Sequence, residues 1–156
     1  SADGMAWIHD SVRESCPDAI VCLDAFHVVR WANDALDKIR REVWNDTRKH
    51  HKRGRPPTDI KARATRVTHS RWALVTNPAR LTDKQALTLA ELEKAGSPLW
   101  KAYLLKELLR TLLKLPADET IERLDTWLDR VDESGLDEFA RAPPRSATWG
   151  RNSRRY

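Results

Sequence analysis

The chain has 156 residues, enough for one domain with a hydrophobic core. It is 40% hydrophobic and 33% charged, with a net charge of +5 and an isoelectric point near 9.5, a balance that suits a polyanion such as nucleic acid. No apolar run approaches the ~20 residues that a membrane helix needs, and no signal peptide opens the chain, so no membrane partner is expected.

The first thirty residues read as an α/β unit. Met5, Ile8 and Val12 recur at helical spacing over residues 4–15, and Pro17 ends that stretch. Ala19, Ile20, Val21, Cys22 and Leu23 form a short apolar run that predicts a buried strand. Cys16 and Cys22 are the only cysteines and have no zinc spacing, which favours reduced, buried thiols in a cytosolic protein. A long helix is predicted from about Ala25 to about Arg48. Its apolar stripe is Val28, Ala32, Ala35, Leu36, Ile39 and Val43.

Residues 48–66 carry Arg48, Lys49, Lys52, Arg53, Arg55, Lys61, Arg63 and Arg66 against one acid, Asp59. Gly54, Pro56 and Pro57 break regular structure, and the stretch reads as a basic loop or linker. It is either a solvated surface loop or a phosphate-contacting arm whose affinity falls steeply with salt. A short apolar piece, Ala73 to Val75, stops at Asn77 and Pro78.

The rest reads as helical. Thr82 to Gln85 is a capping-box pattern, and Leu81, Ala86, Leu89, Ala90 and Leu92 supply apolar positions behind it. A helix over about 98–114 is apolar on more than half its circumference and is expected inside a bundle. Another over about 117–133 places Ile121, Leu124, Trp127, Leu128 and Val131 on one face and ends at Gly135. Residues 136–140 add a further turn. The stretch after Arg141 is Arg-rich, acid-free and full of breakers, a composition that predicts disorder.

Asp3 and Asp24 stand where an α/β unit usually places ligands, beyond the carboxyl ends of strands. Two such carboxylates are the hard oxygen donors that a divalent ion in phosphoryl transfer requires. An Asp ahead of a helix is more often only a cap, and Asp3-Gly4 also reads as a turn. His27 falls in the first turn of the long helix, where a half-buried packing role is the plainer reading.

Three segments carry a family resemblance: Ser1-Ala2-Asp3-Gly4, Cys16-Pro17-Asp18-Ala19, and the run from Leu23-Asp24-Ala25-Phe26-His27 to Ala32. With Ser70-Arg71-Trp72 and Ala102 to Glu107 further on, they make the chain resemble the catalytic core of bacterial ISL3-family insertion-sequence transposases. The resemblance covers most of the chain up to about Arg141. It implies an RNase H-like domain with a DDE triad, Mg²⁺ or Mn²⁺ as cofactor and DNA as partner, with a full-length transposase or a second copy as further partners. A bacterial cytoplasmic, nucleoid-associated location follows from it.

By the same resemblance Asp3 matches the second acid of the triad. Asp24 and His27 match an Asp-x-x-His signature that supports the active site, with Asp24 competing for the role of second acid. These three are the candidate catalytic residues, and Asp3 and Asp24 the candidate metal ligands. Arg48, Lys49, Lys52, Arg53, Arg55, Arg63 and Arg66 are the candidate nucleic-acid contacts.

The family pattern also places a first Asp upstream of residue 1 and a Glu-Gly-x-Asn segment after the helical insertion. Neither occurs in these residues, and Glu119, Glu122, Glu133 and Glu138 do not match that segment. The expectation is therefore a transposase truncated at both ends and inactive alone, or else a non-catalytic nucleic-acid binder or transposase inhibitor. Residues 1–45 would be a partial RNase H-like core of one or two strands, an α/β fragment. Residues 46–80 would be a basic linker with short elements, 81–141 a helical insertion, and 142–156 a disordered, out-of-frame tail.

Overall fold

The computed structural model describes residues 25–49 and 58–141 of the chain. The predicted first helix, the strand over residues 19–23, the cap at Asp24 and the tail after Arg141 lie outside the described residues. Among the described residues every regular element is helical.

Helix α1, Ala25–Lys49, buries Val28, Ala32, Ala35, Leu36 and Ile39, so the stripe expected from the sequence faces the core. Helix α2, Thr58–Val75, corrects the reading of a basic linker: the second half of that stretch is helical. The residues that break structure lie before Thr58, and from there to Asn77 the chain has neither Gly nor Pro. Its inward stripe is Val67, Ser70, Ala73 and Leu74, with a serine where periodicity looks for an apolar residue. Ser70 is fully buried, and its hydroxyl donates to the Val67 carbonyl at 2.8 Å, which removes the cost of burying it.

A 3₁₀ turn at Pro78–Arg80 leads to α3, Asp83–Lys94. The capping box is present in full: the Gln85 amide donates to Thr82 Oγ1 at 3.4 Å, and the Thr82 amide donates to Gln85 Oε1 at 3.0 Å. Thr82→Ala is expected to cost about 1 kcal/mol, read as a small shift in a urea melt with unchanged slope. Gly96, at φ +57°, turns the chain. Ser97 then caps α4, Pro98–Leu112, by accepting from the Leu99 amide. Helix α5, Ala117–Ser134, ends on Gly135 in the left-handed region, as its position predicted. Helix α6, Asp137–Ala140, closes the described chain.

The buried side chains of all six helices form one cluster. Helix α4 is its centre, packed against α1, α3 and α5, with Leu99, Ala102, Leu105 and Leu109 almost wholly buried. Helix α5 is tied to it by Trp127, whose Nε1 donates to the Leu105 carbonyl at 2.9 Å. The Thr120 hydroxyl bridges the turn between them, lying 3.0 Å from the Leu112 carbonyl and 3.2 Å from that of Leu115. Helix α6 returns to α1 through Phe139, edge-on to Trp31 with ring centroids 5.5 Å apart, and through the Lys38–Glu138 ion pair at 3.0 Å.

One charge sits inside this packing. Lys106 of α4 is 4% exposed and donates to the Leu74 carbonyl in the last turn of α2 at 2.6 Å. Free carbonyls and the negative end of the helix dipole lie there, so a buried cation fits. Glu107 pairs with Lys106 at 2.6 Å and with Arg110 at 2.7 Å, and the ammonium stands 5.0 Å from the Tyr103 ring centroid.

Candidate nucleic-acid interface

Helices α1 and α2 pack as an antiparallel pair. Val29, Ala32 and Asn33 of α1 line one small cavity with Val75 of α2, and Asn33, Asp37 and Arg41 share a groove with Arg71, Leu74 and Val75. Ascending α1 therefore means descending α2. Arg48 and Lys49, at the end of α1, and Arg63 and Arg66, in the first half of α2, consequently share one end of the pair.

At that end the side chains of Arg48, Lys49 and Arg66 are exposed. The Arg48 guanidinium lies 4.5 Å from the Trp44 ring centroid, a cation–π contact that steadies it without neutralising it. Lys49 pairs with Asp46 at 2.9 Å on an exposed surface. Arg66 reaches Glu91 of α3 at 3.8 Å, and both are more than half exposed. Exposed pairs of this kind are worth less than about 1 kcal/mol and exchange readily for a phosphate.

Farther along the pair is a groove of about 200 Å³ lined by Asn33, Asp34, Asp37, Arg40, Arg41 and Arg71 among others. Asp37 accepts from Arg40 Nε at 2.9 Å and forms an ion pair with Arg41 at 2.6 Å. Burial pushes its carboxyl pKa up, but the two guanidiniums outweigh burial and hold it below the usual carboxylate range. Arg71 caps the rim, 5.5 Å from the ring centroid of the exposed Trp72. By contrast, α5 carries Glu119, Glu122, Asp125, Asp129 and Glu133 on its exposed face and packs chiefly on α4. Positive charge is thus concentrated on α1 and α2, and negative charge on α5.

Of the residues singled out from sequence, Arg48, Lys49 and Arg66 are placed by the structure on this surface, and Arg63 on the same helix as Arg66. Lys52, Arg53 and Arg55 lie outside the described residues, as do Asp3 and Asp24. His27 sits half-buried in the first turn of α1, its ring edge-on to Phe26 at 5.7 Å. Among the described residues no three His, Cys, Asp or Glu side chains converge. The groove with Arg40, Arg41 and Arg71 was missed in the sequence because it joins positions about thirty residues apart. The exposed Arg71-Trp72 dipeptide was the available signal. No described helix is long and apolar enough to cross a membrane.

Comparison with known proteins gives these features a setting. A family model described as a transposase, of the DDE type and ISL3 group, matches residues 1–154. The chain is 45% identical over 139 residues to the transposase for insertion sequence element IS1557 of Mycobacterium tuberculosis, in strains CDC 1551 / Oshkosh and H37Rv. That match covers 82% of this chain and 31% of the relative. A transposase for insertion sequence element IS1001 of Bordetella parapertussis is 29% identical over 128 residues, covering 80% of this chain and 29% of its own. The chain thus spans about three tenths of the length of these curated relatives. No solved structure matches it.

Proposed function

The chain belongs to the ISL3 family of DDE transposases, and from that premise we propose that its helices form a DNA-facing part of a protein that hydrolyses phosphodiesters and transfers DNA strands. The observation that carries the DNA contact is the antiparallel α1–α2 pair, which gathers Arg48, Lys49, Arg63 and Arg66 at one end. Phosphate contacts of this kind supply affinity and register without reading sequence.

A divalent ion supplies charge stabilisation in the family's chemistry. Asp3 and Asp24 are the proposed carboxylates toward it, with His27 beside them in the signature. These 156 residues contain no Glu-Gly-x-Asn segment, so by themselves they are proposed to bind DNA without cutting it. Strand cleavage by the purified chain with Mg²⁺ would overturn that.

Binding is tested with a fluorescent duplex at a series of salt concentrations. Affinity should fall steeply with salt, with a log–log slope of about −0.9 for each phosphate neutralised. Arg48→Gln with Lys49→Gln should weaken binding and make that slope shallower by about 2. Equal binding by this double variant would move the interface elsewhere. Binding that survives Asp3→Ala and Asp24→Ala would show that the helices hold DNA independently of the acids.

A further inference from the structure

Five tryptophans lie among the described residues, and four of them, Trp31, Trp44, Trp100 and Trp127, are buried or half-buried in the packing. Trp72 differs. It is 66% exposed, and its recorded ring contact is with the Arg71 guanidinium at 5.5 Å. A single exposed apolar residue needs no explanation in itself. This one adjoins Arg71, which lines the groove with Arg40 and Arg41, and the Arg41 side chain is 69% exposed. It also shares its helix with the basic end of the α1–α2 pair.

We propose that Trp72 is a stacking platform for an unpaired DNA base, with Arg71 and Arg41 taking the adjoining phosphates. An indole presents a π-face to any base, and a nearby guanidinium adds charge to the contact. Distances along α2 agree. Six residues separate Arg66 from Trp72, a rise of about 9 Å, and nine separate Arg63 from it, about 13 Å. One strand one or two nucleotides long can therefore span from the basic end to the ring. Asp34 and Asp37 also line the groove. Asp37 is paired with Arg40 and Arg41, so three guanidiniums, with that of Arg71, face two carboxylates in the groove. Duplex DNA keeps its bases stacked inside and offers nothing to this ring, so the platform selects frayed, tailed or nicked ends.

This inference rests on the DNA-binding reading, and the experiment separates the two. Two labelled duplexes are compared by fluorescence anisotropy with the 156-residue chain, one blunt and one carrying a three-nucleotide unpaired 3′ tail. The wild-type chain should prefer the tailed duplex. Trp72→Ala should lower affinity for the tailed duplex by about 5- to 100-fold, with the loss confined to that duplex. Trp72→Phe, which keeps a ring, should retain most of the preference. Because Trp72 is exposed, matching thermal melts of both variants would exclude a folding defect. Tailed-duplex binding unchanged by Trp72→Ala, or an equal loss on both duplexes, overturns the platform while leaving DNA binding intact. A wild-type chain that binds neither duplex overturns the DNA-binding reading and this inference with it.

Discussion

Trp127→Ala is expected to destabilise the chain by about 3–5 kcal/mol, roughly a fifth or more of the stability of a typical domain. Trp127 is 2% exposed and is the largest fully buried side chain among the described residues. It joins α5 to α4, and with Leu124 and Val131 it makes the buried face of an otherwise acidic helix. Truncation removes the ring's burial and opens a cavity that helices tied by their own backbone hydrogen bonds cannot fully close. The indole hydrogen bond is the smaller part. The Leu105 carbonyl it reaches lies in the middle of α4, and a carbonyl there also accepts an intrahelical amide through its other lone pair. Trp127→Phe should therefore cost much less, about 1–2 kcal/mol. Urea melts followed by circular dichroism measure both. A loss under about 1 kcal/mol for the alanine variant would show that α5 does not share the core as described.

How far the sequence revealed this architecture depended on how regular each helix is. The stripe of α1 repeats cleanly from Val28 to Ile39, and the capping residues of α3 and the Gly135 stop of α5 are local signals, so all three were legible. Helix α2 was not. Its inward face contains Ser70, satisfied within its own turn, and its outer faces are crowded with charge, so neither periodicity nor hydrophobicity marked a helix. Reading that charge as a loop or linker hid the feature that organises the candidate interface. A loop would spread the basic residues, whereas the antiparallel helix puts Arg63 and Arg66 at the same end of the pair as Arg48 and brings Arg71 to the groove with Arg41. Strand placement made Asp3 and Asp24 candidates, and the family resemblance added His27 and a role for each. Composition could not assign those roles, because an Asp ahead of a helix looks the same whether it caps or binds a metal.

Burial of Lys106 was equally hidden, since a lysine on a helix expected to be apolar over more than half its circumference reads as part of the polar remainder. Lys106→Met should cost about 3 kcal/mol, because it strands two partners at once. The Leu74 carbonyl loses its donor at the end of α2, and Glu107 loses one of its two cations while staying largely buried. The Lys106–Glu107 contact is an ion pair without hydrogen-bond geometry, and Glu107 Oε1 has no hydrogen-bond partner among the described residues. Replacing the pair together, with Lys106→Met and Glu107→Leu, should recover about 1–2 kcal/mol of the loss, because an apolar pair leaves no buried carboxylate behind. The wild-type chain should also reveal the lysine through pH. Burial pushes the Lys106 pKa below its ordinary 10.5, against the pull of Glu107. The folded state then holds fewer protons than the unfolded one, so stability rises as pH climbs from that lowered value toward 10.5. Tyr103 acts in the opposite sense. Burial, helped by the Glu107 charge and opposed by Arg110, raises its pKa above 10.0, so stability falls as pH passes 10.0. The Lys106→Met variant should keep the fall and lose the rise. A variant whose alkaline stability profile matched that of the wild type would mean that the ammonium is solvated, and that α2 ends without it.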